Sequence, residues 1–163
     1  MAEQIITKEY LNEVFEYKDG HLYWKKPGGK RYINKLAGAV VKNKYIQLQH
    51  NGKRMLAHRL IYMMFHGYLP EFVDHINGNG FDNRIENLRE VTHSQNLMNS
   101  KLRDTNKTGV KGVHWHKKSQ KWYAVITTNK KQKHLGQFDT IEEAEKVVKC
   151  ARNDLHGEFA RHH

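Results

Sequence analysis

Residues 74–96 read DHINGNGFDNRIENLREVTHSQN, and the architecture around them follows from this stretch. It opens on an acid and a histidine, Asp74-His75, passes through an Asn- and Gly-rich segment, and carries further side-chain amides at Asn83, Asn87 and Asn96. Val73 to Ile76 predicts a short strand, and NGNGFDN a tight loop. Thr92-x-x-Gln95 has the capping-box pattern, so a helix is expected from His93 to about Lys101. The local order is strand, loop, short strand, helix.

These residue types suit hydrolysis of a phosphodiester, which needs an activated water, a cation against developing charge, and a grip on the backbone. Histidine titrates near neutrality and suits the first task. A hard divalent ion suits the second, and it prefers oxygen donors. Asp74 offers a carboxylate and Asn96 a neutral carbonyl oxygen. Consecutive side chains on a strand point to opposite sides, so Asp74 and His75 share one site only if the strand ends or bends there. Asn87 could fix the ring of His75 by a hydrogen bond. Arg84 and Arg89 are candidates for holding phosphates, with loop bracing by Arg84 or Asp82 as the structural alternative. Taken singly, Asp-His pairs and Asn-rich loops are commonly turns and caps. The ordered string as a whole is what points to catalysis.

Upstream, Thr7 can cap a short helix running to Phe15, and Asp19-Gly20 marks a two-residue hairpin. Gly28-Gly29 opens a basic loop. KYIQLQH and KRMLA around Asn51-Gly52 predict a second hairpin. HRLIYMMFH, residues 58–66, reads as a buried helix closed by Gly67 with Pro70 beyond it. Met63 and Met64 are expected in the core, and His58 as a hydrogen-bonded structural group. Downstream, polar residues 103–107 predict a linker. Three strands follow, with turns at Ser119-Gln120 and Asn129-Lys130, then a helix that starts at Asp139-Thr140 and stops at Gly157. Ile141, Ala144, Val147 or Val148, Ala151 and Leu155 recur along it at helical spacing and would cover one sheet face. The other face would display basic and aromatic side chains.

The charge agrees with a polyanionic partner. Lys and Arg number 28 against 17 Asp and Glu, a net +11, with a pI near 9.7. Residues 101–138 hold ten basic side chains against the one carboxylate of Asp104. The single cysteine, Cys150, excludes an intramolecular disulfide framework and a CxxC zinc knuckle, and its place in an amphipathic helix predicts a buried thiol. No segment has the length and hydropathy of a membrane span, so a soluble, cytoplasmic protein without a membrane partner is expected.

The stretch HRLIYMMFHGYLPEFVDHINGNGFDNRIENLREVTHSQN resembles the HNH nucleases, in particular their phage and intron-encoded homing-endonuclease branch. The matching positions are Asp74-His75, Gly78, Asp82-Asn83-Arg84, Asn87-Leu88-Arg89, Thr92 and Asn96. The resemblance implies a ββα-metal fold in which Asp74 and Asn96 bind one Mg²⁺ or Mn²⁺, His75 is general base and Asn87 positions it. It implies cleavage of double-stranded DNA to 5′-phosphate and 3′-hydroxyl ends, in a bacterial host cytoplasm if phage-encoded. The third motif position is Asn96 in place of histidine, and an amide favours magnesium or manganese over zinc. Residues 108–163 resemble the plant ethylene-response-factor (Apetala-type) DNA-binding domain through Gly112-Val113, Trp115, Lys121-Trp122, Ala124, Leu135-Gly136, Phe138 and Ala144. That likeness makes Lys111, His114, His116, Lys117, Trp122 and Lys133 candidates for the DNA face, although strand alternation admits only part of them.

The expected fold is α+β: an HNH nuclease domain over 1–102 preceded by β-hairpins, a linker at 103–107, and a three-stranded antiparallel sheet packed on one helix over 108–163. The expected activity is metal-dependent endonucleolytic cleavage, with nicking as the simplest outcome for a monomer and no small-molecule cofactor. The alternative is a non-catalytic DNA-binding regulator on a nuclease scaffold.

Overall fold

A computed structural model describes residues 6–26, 33–42, 44–50, 52–102, 105–128 and 131–162. The Gly28-Gly29 loop, Asn51, the Asn129-Lys130 turn and the start of the expected linker lie outside the described residues. The fold is mixed, with small antiparallel sheets and four α-helices among the described residues. Two compact units divide the chain, residues 1–91 and 92–163.

The first unit begins with α1 (Lys8–Val14), whose first turn is capped by the Thr7 hydroxyl accepting from the Tyr10 amide at 3.2 Å. Strands β1 (Phe15–Lys18) and β2 (His21–Trp24) form the predicted hairpin, Lys18 facing His21 across Asp19-Gly20. Both turn residues take positive φ, 45° and 81°, as a primed turn requires. A three-stranded sheet follows from β3 (Ala39–Val41), β4 (Tyr45–His50) and β5 (Lys53–Leu56). Then comes α2 (Ala57–His66), closed by Gly67 at φ 81°. Leu60, Ile61 and Met64 of α2 pack with Leu11, Phe15 and Leu22 in one core. Burial of side chains of this size contributes roughly 1.5–3 kcal/mol each. Against this core lies the hairpin of β6 (Phe72–His75) and β7 (Leu88–Val91), which pairs Asp74 with Arg89 and His75 with Leu88.

The second unit opens on α3 (His93–Met98), whose capping box pairs Thr92 and Gln95 as the sequence predicts. It ends three residues before the expected Lys101. Strands β8 (Val113–His116), β9 (Lys121–Thr128) and β10 (Lys131–Phe138) form an antiparallel sheet, with a bulge between His134 and Gly136. Helix α4 (Ile141–His156) lays Ala144 and Val148 on Val113 and Ala124. A second capping box, Thr140 with Glu143, starts it. Two expectations for α4 need correction. Leu155 is 45% exposed and Cys150 is exposed, because the buried row runs Ala144, Val148, Arg152, His156 and leaves both off it. The i, i+4 spacing of that row carries the helix's polar end inward, beyond its apolar part.

Close backbone approaches hold the β6–β7 loop. A Cβ on Gly80 would fall against the Lys44 carbonyl oxygen and within 2.9 Å of the Tyr45 ring. A Cβ on Gly20 would meet the Arg84 amide at 2.8 Å, and the Tyr17 hydroxyl accepts from the Ile85 amide at 3.2 Å. Gly80→Ala is therefore expected to destabilise the first unit by about 1–3 kcal/mol through overpacking. Chemical denaturation of the variant beside wild type measures it; an unchanged midpoint would show that the loop can move away from β4.

Candidate active site

The Asn-rich segment between β6 and β7 is built from its own side chains. Asn77 Oδ1 accepts from the Asn79 amide at 2.8 Å and Asn79 Oδ1 from the Phe81 amide at 3.1 Å, two successive Asx turns. Gly78 stands at φ 67° and donates its amide to the His75 carbonyl at 2.8 Å. Asn87, on a single 3₁₀ turn (Ile85–Asn87), closes the loop. Its Oδ1 accepts from the Asn77 amide at 3.0 Å, and its Nδ2 donates to Asn77 Oδ1 at 3.0 Å and the Asp82 carbonyl at 2.7 Å. The Asn87 carboxamide thus bonds the loop, and the hydrogen bond to the His75 ring comes from Asn83, a residue the motif reading gave no role.

His75 is 4% exposed, at the end of β6. Its Nε2 lies 2.8 Å from Asn83 Oδ1. The Tyr45 ring is stacked with it at 6.1 Å, and the His58 ring meets it edge-on at 4.8 Å. Burial pulls its pKa down, against the opposing effects of Asn83, Asp74 and Asp82. The ring is therefore held toward its neutral, proton-accepting form. His58 is buried at 5% exposure, and burial with the neighbouring His75 takes its pKa down to about 3. The expected hydrogen-bonded histidine needs correction: His58 Nδ1 is buried with no hydrogen-bond partner among the described residues, and the ring lies against those of Tyr45 and His75.

Asp74 is buried too, at 9%, and its Oδ2 lies 3.3 Å from both Nε and Nη2 of Arg89, its cross-strand partner. Asp74 thus meets Arg89 and His75 meets Asn83, while the Asp74 charge still reaches the imidazole. Arg84 makes a two-pronged pair with Asp82, Nε and Nη2 each at 2.8 Å, and Asp82 also accepts from Asn77 Nδ2 at 2.8 Å. These contacts hold the Asp82 carboxyl well below its usual range. Arg84 thus pairs with Asp82 within the loop while its side chain stays 62% exposed. Asn96 stands on α3, in the second unit.

A divalent ion fits the chemistry of this donor set. Asp74 and Asn96 are oxygen donors, and among the described residues no group of three His, Cys, Asp or Glu converges. Carboxylate and carboxamide oxygens are the donor type that a hard divalent ion prefers.

On the second unit, strand alternation sorts the DNA-face candidates. Val113, Ala124 and Ile126 face α4, so His114, His116, Tyr123, Val125 and His134 share the open face. His116, Tyr123 and His134 form a ring ladder across the three strands, at 4.8 Å per step. Trp122 packs into the core on the helix side, and Lys133 pairs with buried Ile126 on that same side. Lys117 lies exposed in the β8–β9 turn. Lys111 turns inward and donates to the carbonyls of Met98 at 3.0 Å and Ser100 at 2.7 Å, and burial lowers its pKa to about 8. The sequence signal that would have found Tyr123 and His134 is the parity set by His114 and His116, but the bulge in β10 hides it for His134.

Residues 55–98, which run from the end of β5 through the Asp-His hairpin and the Asn-rich loop to the end of α3, match the HNH endonuclease family model. Those residues are an HNH endonuclease domain. Among the chain's relatives is Protein 3.8 of Escherichia phage T7, 31% identical over 106 residues that cover 64% of this chain and 87% of the relative. The Uncharacterized HNH endonuclease L560 of Acanthamoeba polyphaga mimivirus is 32% identical over 110 residues, 66% of this chain and 56% of that protein. No solved structure matches the chain significantly. Among the described residues no helix is long and apolar enough to cross a membrane.

The buried histidines give the first unit a pH-dependent stability. The folded pKa of His58 lies below its unfolded value of 6.5, so the unfolded chain binds more protons below that pH. Stability is present above pH 6.5 and is lost as pH falls, by up to about 3 kcal/mol between pH 7 and pH 4. Denaturation midpoints across that range should fall with acid for wild type and more gently for His58→Gln. Parallel curves would mean that His58 takes its proton while folded.

Proposed function

We propose that the protein is a metal-dependent endonuclease that nicks double-stranded DNA, leaving 5′-phosphate and 3′-hydroxyl ends. The observation that carries this is the buried, neutral-leaning His75 beside Asp74, inside a family match that runs from residue 55 to residue 98. That match spans the division between the two units and includes Asn96, which supports counting α3 with a nuclease domain of residues 1–102.

In this reading His75 accepts the proton of the attacking water, and the Asn77–Asn87 clamp keeps its strand end in place. Asp74 and Asn96 would hold one Mg²⁺ or Mn²⁺ through oxygen, which when bound supplies Lewis-acid stabilisation of the developing charge and the departing 3′ oxygen. Arg89 orients the Asp74 carboxylate. Residues 108–163 act as an ethylene-response-factor-like module that holds the duplex against the open sheet face, with His114, His116 and Lys117 toward the DNA. Phosphate contacts dominate there, because Arg is scarce on that sheet. The protein works as a monomer in the cytoplasm, of a bacterial host if phage-encoded.

A second reading, a DNA-binding regulator on a nuclease scaffold, draws on the 4% exposure of His75. Supercoiled plasmid incubated with protein and Mg²⁺ or Mn²⁺ separates the two. Nicked circles are expected from wild type and should disappear with a chelator, and His75→Ala should slow nicking by about 10²–10⁴-fold. Tight binding with no cleavage by either protein, across both metals, would favour the regulator.

A further inference from the structure

We propose that Asn83 is the positioning residue of His75, its carboxamide oxygen holding the imidazole with the proton on Nε2 and Nδ1 as the basic nitrogen. The inference rests on the reading of His75 as general base. Asn83 is 1% exposed, among the most completely buried side chains in the protein, and it lies within the loop that β6 and β7 enclose. Its Oδ1 is 2.8 Å from His75 Nε2, while its Nδ2 is buried with no hydrogen-bond partner among the described residues.

A buried amide donor left without a partner costs stability, and an apolar side chain of the same shape would avoid that cost. An amide is a poor choice for filling this space, and a sound one for holding a ring through its oxygen. The carboxamide presents Oδ1, and not Nδ2, to the ring. With Oδ1 accepting, Nε2 must carry the hydrogen, and the neutral ring then keeps its lone pair on Nδ1. The backbone of Asn83 is itself held in place. Gly20, in the β1–β2 turn, comes so close that a Cβ there would lie 3.1 Å from the Asn83 carbonyl carbon. Tyr45 and His58 flank the ring on other sides, so the Asn83 bond selects one rotation within an aromatic enclosure. Asn87, four residues on, locks the loop; Asn83 locks the ring.

Two measurements test this. In wild type, long-range ¹H–¹⁵N correlation of the imidazoles should show His75 Nε2 protonated and Nδ1 bare near neutral pH. In Asn83→Leu, which keeps the branched shape and removes the acceptor, that preference should fade. The same variant should lose kcat for plasmid nicking by about 10–100-fold with KM for DNA little changed, the usual scale for groups that orient an active side chain. A His75 carrying its proton on Nδ1 in wild type overturns the proposal, as does a folded Asn83→Leu with wild-type kcat. Should the leucine variant fail to fold, the wild-type nitrogen shifts decide alone. Those shifts also separate the two levels of inference. An enzyme that His75→Ala leaves unimpaired refutes the general base, while the tautomer still reports whether Asn83 holds the ring.

Discussion

The clamp between Asn77 and Asn87 is the interaction on which the site depends. Three hydrogen bonds from one carboxamide, two to Asn77 and one to the Asp82 carbonyl, tie the beginning of the loop to its end. The Ile76 amide adds a fourth link by donating to the Asn87 carbonyl at 2.9 Å. With both ends fixed, the two Asx turns and Gly78 have little freedom, and His75 is delivered at the last position of β6. Without such closure an Asn- and Gly-rich segment would have many conformations of similar energy.

Around that loop the N-terminal hairpins do more than complete a core. The Gly20 turn lies against the backbone at Asn83 and Arg84, the β4 strand reaches Gly80 through Lys44 and Tyr45, and α2 supplies His58. Polar side chains are buried at 9% exposure or less at Asp74, His75, Asn83 and Asn87, a concentration that costs stability unless each is bonded. Most of them are bonded to one another or to the loop. Dry surroundings also strengthen the hydrogen bonds that remain and keep the imidazole neutral.

The charge of the protein is arranged on a different principle. The loop carries matched pairs, Asp82 with Arg84 and Asp74 with Arg89, so its own field is contained. Most of the excess positive charge sits after residue 100, where Lys side chains and exposed rings decorate a small sheet. Not all of that charge is available to a polyanion: Lys111 is bound to the carbonyls that end α3, and Arg152 donates to the Lys111 carbonyl at 2.6 Å. Basic residues in this unit therefore divide between attraction of a ligand and satisfaction of buried carbonyls.

The sequence by itself determined the elements, because their signals are local. Asp19-Gly20, Gly67, Thr92-x-x-Gln95 and Thr140-x-x-Glu143 each specify a turn or cap through contacts within a few residues, and the structure has all four. The Asp-His pair and the family followed from an ordered string of side chains, again readable along the chain. Tertiary structure alone decided which side chain meets which. The partner of His75 is Asn83 and not Asn87 because the loop doubles back, and no spacing rule encodes that turn. Trp122 lies in the core, Cys150 and Leu155 lie exposed, and Lys111 points inward, because facing depends on register, a bulge and the packing of α4. Those are cooperative outcomes of many contacts distant in sequence, and a one-dimensional pattern does not contain them.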